Sequence, residues 1–133
     1  MPRAVRTLGE VALRVNDLEV MREFYETIVG LELMREFPGI VFFRVGEGYG
    51  GHTTILALFD RERAAGVEQT TLDHLAFTID IADYETERQR LQAAGVQVRP
   101  EVFEWVGWRS LFIRDPEGNT VEFVCRDPEL ILE

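Results

Sequence analysis

The stretch Leu72-Asp73-His74-Leu75-Ala76-Phe77-Thr78-Ile79 decides how the rest of the chain reads. Leu75, Phe77 and Ile79 alternate with His74, Ala76 and Thr78, the period-two pattern of a strand with one apolar and one semi-polar face. The second face carries one of only two histidines in the chain. A small-residue face holding an imidazole suits the lining of a cavity better than a packed interior. Two other stretches share the design. Val11, Leu13 and Val15 alternate with Glu10, Ala12 and Arg14, and Val121, Phe123 and Cys125 alternate with Thr120, Glu122 and Val124. Three strands thus each hold one metal-ligating or acid/base side chain at a matching place on the less apolar face.

Working outward, strand Gly9 to Val15 leads to Asn16-Asp17, either of which can cap a helix beginning near Leu18. Leu18, Met21, Phe24, Tyr25 and Ile28 make a helical stripe that can cover the Val11/Leu13/Val15 face, and Gly30 ends the helix. Strands are predicted over Leu31 to Phe37, Ile40 to Val45 and Thr53 to Phe59, with a turn at Pro38-Gly39 and a glycine loop at Gly46 to Gly51. A short polar connector, Asp60 to Thr71, follows. The pattern then restarts: the His74 strand, a helix with Tyr84, Arg88 and Leu91 on one side, Gly95 at its end, and strands Val96 to Phe103, Trp108 to Arg114 and Thr120 to Cys125. Asp115-Pro116-Glu117-Gly118-Asn119 is the turn before the last strand.

Val29-Gly30-Leu31-Glu32-Leu33 corresponds to Ala94-Gly95-Val96-Gln97-Val98, sixty-five positions on, and nearly the same step carries Glu10 onto His74 and Ala57 onto Glu122. This is an internal repeat. The expected fold class is α+β, with two tandem βαβββ modules forming a curved mixed sheet around a cleft. Residues 1–133 make a single domain on this reading, with repeat one at about 7–60 and repeat two at about 71–127.

Composition narrows the function classes. A net charge of -10, with the basic residues scattered among acids, argues against a nucleic-acid partner. The apolar runs fall far short of the ~20 residues that cross a bilayer, and MPRAVRTLGE lacks an apolar signal core. A cytoplasmic protein with no membrane partner is expected. The single cysteine, Cys125, excludes an internal disulfide and reads as a buried, inert thiol. Gly46-Glu-Gly-Tyr-Gly-Gly51 matches GxGxxG, but apolar and β-branched residues follow it instead of a helix, so no dinucleotide site is expected. His52 has the opposite parity to Ala57 and is expected to point away from the cavity face.

Glu10-Val-Ala-Leu-Arg-Val-Asn-Asp-Leu, Phe24-Tyr25, Val29-Gly30-Leu31, Asp73-His74-Leu-Ala-Phe and Arg114-Asp-Pro-Glu-Gly-Asn-Thr-Val-Glu-Phe-Val124 together resemble the vicinal oxygen chelate superfamily. That group includes glyoxalase I, the extradiol dioxygenases, fosfomycin-resistance proteins, methylmalonyl-CoA epimerase and the bleomycin-resistance proteins. The resemblance spans nearly the whole chain and implies fold more firmly than reaction. It places metal ligands at Glu10, Ala57, His74 and Glu122. Alanine cannot ligate, so the four-ligand pattern of glyoxalase I is incomplete. What remains is the three-ligand pattern of the dioxygenases and fosfomycin-resistance proteins, with Glu10 where a histidine is usual.

Two functions follow. In the first, Glu10, His74 and Glu122 hold a divalent ion (Fe, Mn, Ni or Zn) that chelates vicinal oxygens of a small-molecule substrate. The ligand count tilts this toward dioxygenase-like chemistry, with isomerase, epimerase or lyase chemistry open. Arg14, Ala57, Thr78, Trp105 and Trp108 are candidate substrate-pocket residues, although the two tryptophans better suit closing the core or a subunit contact and Arg14 equally suits an ordinary surface position. In the second, the chain is a metal-free binding protein of the bleomycin-resistance kind that sequesters a cationic or aromatic molecule. The resemblance also implies a homodimer.

Overall fold

A computed structural model describes residues 7–61, 72, 74–105 and 107–130. The chain divides into two compact units, Met1–Glu68 and Gln69–Glu133. The first contains β1 (Glu10–Val15), α1 (Leu18–Glu23), β2 (Glu32–Phe37), β3 (Ile40–Glu47) and β4 (Thr53–Asp60). The second contains β5 (His74–Thr78), α2 (Tyr84–Ala93), β6 (Arg99–Phe103), β7 (Trp108–Arg114) and β8 (Thr120–Arg126). Both units therefore have the expected β-α-β-β-β order. Most of the connector, residues 62–71, lies outside the described residues, as do Asp73 and residues 131–133 of the tail.

Each unit forms one four-stranded mixed sheet, in the orders β1-β4-β3-β2 and β5-β8-β7-β6. The first and last strands of each unit pair in parallel, and the other pairs are antiparallel. Register aligns the two repeats around these strands, apart from the shifts at Leu33/Arg35 and Arg44/Gly46 in the first unit. Ala57 lies opposite Ala12 and Phe42, and Glu122 lies opposite Ala76 and Phe112. Arg35 faces Phe42 as Arg99 faces Phe112.

Strand alternation partitions each sheet as its sequence predicts. Leu13, Val15, Val41, Phe43, Leu56 and Leu58 are buried, and α1 packs on β4. Asp17 caps α1, its carboxylate accepting from the Val20 amide at 3.2 Å. The helix does not stay α. Residues Phe24–Val29 form a π-turn, whose i→i+5 bonding lengthens the repeat, so Val29 is buried where a regular helix would seat Ile28.

A second departure is at β6, which begins at Arg99 although the Val96-Gln97-Val98 alternation predicts an earlier start. The Val96 amide donates to the Leu91 carbonyl and the Gly95 amide to that of Gln92. This is the Schellman closure of α2, with Gly95 left-handed at φ 79. Those donors are consumed by the helix end before the ladder can use them.

Candidate functional site

In the second unit, His74 opens β5 and Glu122 lies in β8, two residues further along the parallel register. That diagonal brings His74 Nε2 to 3.2 Å from Glu122 Oε1. The two side chains sit in different environments: the imidazole is 40% exposed and the carboxylate 8%. Glu122 is therefore a buried anionic group next to an accessible nitrogen base. Its second oxygen is held from the other side, accepting from Ser110 Oγ on β7 at 2.5 Å.

Aromatic rings frame this pair. Phe112, directly across from Glu122, meets the His74 ring edge-on with centroids 6.4 Å apart and packs against Phe103 at 6.3 Å. The Arg99 guanidinium lies 4.6 Å from the Phe112 ring centroid, a cation–π contact, and Arg99 Nη1 donates to Glu101 at 2.5 Å.

The equivalent surface of the first unit is built differently. Ala57 is fully buried in the place of Glu122. Glu10, exposed and opposite Ile55, takes the place of His74, and Ile40, opposite Phe59, takes that of Ser110. Phe42 keeps the place of Phe112 and packs edge-on against Phe37 and Phe59. In the first unit the same face is thus apolar around Ala57 and Phe42, with Glu10, Arg14 and the Arg44–Glu32 ion pair at its margins.

The donor set of the second unit suits a divalent cation. Two ligands each about 2.0–2.2 Å from one ion, at angles of about 90–109°, stand about 2.8–3.6 Å apart, and the His74–Glu122 separation falls within that range. An imidazole and a carboxylate are ordinary ligands for such ions. Among the described residues no group of three or more His, Cys, Asp or Glu side chains is placed to hold a metal ion. The second unit contributes two donors.

The remaining predicted residues lie as follows. Arg14 is half-buried in β1 opposite Phe59, and Thr78 is exposed in β5 opposite Val124. Trp108 starts β7, on the Phe112 side of the sheet but four residues, about 13 Å, along the strand. Trp105 is in the β6–β7 turn and 78% exposed. His52 packs beside Gly9, where an added Cβ would stand 3.1 Å from its Nε2, in keeping with its parity. The glycine loop runs through a short 3-10 turn, Tyr49–Gly51, straight into β4, with no helix to receive a pyrophosphate.

The match to known proteins follows this architecture. The family model for the Glyoxalase/Bleomycin resistance protein/Dioxygenase superfamily matches residues 7–123. The chain belongs to that superfamily. It is 30% identical over 119 residues to a lactoylglutathione lyase of Neisseria meningitidis, covering 84% of this chain and 85% of that protein. The crystal structure of a lactoylglutathione lyase from Agrobacterium tumefaciens matches with a TM-score of 0.72 and 28% identity, over 92% of this chain and 96% of that one. A glyoxalase/dioxygenase from Nostoc punctiforme gives 0.73 and 27%, over 97% and 96%. The superfamily's α+β fold is present here as two four-stranded mixed sheets without a closed barrel. No helix among the described residues is long and apolar enough to cross a membrane.

Two features of the second unit escaped the sequence. Ser110 is an unremarkable residue in an alternating strand, but the tight Asp115–Asn119 turn sets the β7–β8 register, and that register puts Ser110 diagonal to Glu122. Arg109 Nε donates to the buried Asp127 carboxylate, which also accepts from the Glu129 amide at 2.9 Å. The guanidinium bond holds Asp127 below its ordinary pKa. Burial pushes the Cys125 thiol up, in keeping with an inert core cysteine.

Proposed function

We propose that this chain is a metal-dependent enzyme of the lyase or isomerase kind, acting on a small substrate with two adjacent oxygens. His74 and Glu122 are the residues of the second unit that would hold the divalent cation; Glu10 has the equivalent repeat position in the first unit. The observation that carries this reading is the approach of His74 Nε2 to a buried, hydrogen-bonded Glu122 carboxylate. When bound, the cation supplies Lewis-acid stabilisation of negative charge on the adjacent substrate oxygens. The protein's own part is orientation and exclusion of water. Phe112, backed by Phe103, covers one edge of the His74 ring with apolar surface, so charges on that side interact more strongly than in bulk water. The similarity to lactoylglutathione lyases favours the lyase assignment.

Ala57 favours a second reading, oxygen-dependent cleavage of a vicinal-diol aromatic, because it leaves three donor positions instead of four. The two separate in one experiment. Metal-loaded protein is given methylglyoxal with glutathione, thioester formation being followed by its absorbance, and in parallel a catechol in an oxygen electrode. Thioester formation abolished by a chelator is expected. Oxygen uptake without thioester formation would replace this reading with the second. Chelator-indifferent ligand binding with neither activity would replace both with a metal-free binding protein.

A further inference from the structure

Resting on the metal centre just proposed, we infer that Ser110 is a positioning residue that fixes the Glu122 carboxylate in its ligating orientation. Glu122 has two oxygens, and only one can face His74. Ser110 Oγ donates to Oε2 at 2.5 Å, leaving Oε1 turned toward the imidazole at 3.2 Å. Without that donor the carboxylate is free to rotate about its last torsion, which is broad and soft in glutamate.

The hydroxyl is well placed to hold this orientation. Ser110 is fully buried, so no bulk water has access to replace it. Its backbone is tethered too: the Tyr84 hydroxyl on α2 donates to the Ser110 carbonyl at 3.2 Å. The fold thus fixes the strand, the strand fixes the hydroxyl, and the hydroxyl fixes the carboxylate.

The first repeat supplies an internal control. At the places of Glu122 and Ser110 it has Ala57 and Ile40, so the carboxylate and its hydroxyl are present together in one copy and absent together in the other. Orientation of a ligating carboxylate by an outer hydrogen bond is worth about 10–100-fold in metal affinity.

The test compares wild type, Ser110→Ala and Ser110→Thr for Co2+ and Zn2+ affinity by competition with a chromophoric chelator, together with the visible spectrum of the Co2+-loaded forms. All are measured below each variant's unfolding temperature. Ser110→Ala is expected to bind about 10–100-fold more weakly with an altered cobalt spectrum. Ser110→Thr keeps the hydroxyl and is expected to restore both. Equal affinity and spectrum in Ser110→Ala would overturn the inference, and so would equal losses in Ala and Thr, which would mark a packing role. If Ser110→Ala does not fold, Ser110→Gly replaces it, with the same loss expected and wild-type affinity counting against the inference. Failure of wild type to take up either ion would instead overturn the metal centre itself, and this inference with it.

Discussion

Substituting Ala57 with glutamate places in the first unit the side chain that its repeat partner carries in the second. Ala57 is fully buried between Ala12 and Phe42. At Glu122 the carboxylate meets a serine hydroxyl and an imidazole. At position 57 the same places hold Ile40 and Glu10, so the new carboxylate would find no hydroxyl donor and a like charge there, with Arg14 and Arg44 at the other two diagonals. Added volume alone costs about 1–3 kcal/mol, and Ala57→Met measures that part. A buried carboxylate that lacks its hydroxyl donor and faces Glu10 adds roughly 3 kcal/mol, or about 10 °C in Tm for a chain of this size. Thermal and urea unfolding followed by circular dichroism should therefore place Ala57→Glu about 3 kcal/mol below Ala57→Met. Adding Ile40→Ser and Glu10→His should recover about 2 kcal/mol more in the Ala57→Glu background than in wild type. A glutamate variant within 1 kcal/mol of the methionine variant, or a transplant without coupling, would refute the repeat equivalence on which the site assignment rests.

Other predictions concern the second unit. The Asp127 pKa is lowered from 3.8, first by the Arg109 hydrogen bond, so its contribution to stability is present above that pH and lost as the pH falls through the folded value. Asp127→Asn should thus be less stable than wild type at pH 7 and should show a flatter acid limb in unfolding midpoint against pH. Cys125 is raised from 9.0 by burial, so the unfolded thiol ionises first and stability falls as pH rises above about 9. Cys125→Ala should lose less stability in that alkaline window, and the wild-type thiol should react with a disulfide reagent only on unfolding.

Much of the fold was legible because strand alternation and glycine helix ends survive in both repeats. β7 matches its predicted limits, Trp108 to Arg114, since the Asp115–Asn119 turn fixes where it must stop. The turn closes with the Asp115 carboxylate accepting from the Glu117 and Asn119 amides, both at 2.9 Å. What periodicity misread was backbone donors claimed by a neighbouring element. The Val96 amide belongs to the end of α2 and not to β6, and the π-turn after Glu23 shifts the buried stripe to Val29. Within the site, His74 and Glu122 stand out as polar residues in apolar alternation. Ser110 has no such contrast, because a small hydroxyl is unremarkable in a strand, and its role becomes visible only through register. The Arg109–Asp127 bond was hidden for a related reason: it joins the start of a strand to a tail with no periodicity.

The proposal that His74 and Glu122 hold a cation is tested most directly by stoichiometry. Protein stripped with chelator, reloaded with Zn2+, Co2+, Ni2+ or Mn2+ at neutral pH and freed of excess metal should retain about one ion per chain. His74→Ala and Glu122→Ala should each abolish retention. No stoichiometric uptake by wild type, or undiminished uptake by folded His74→Ala and Glu122→Ala, would contradict the account.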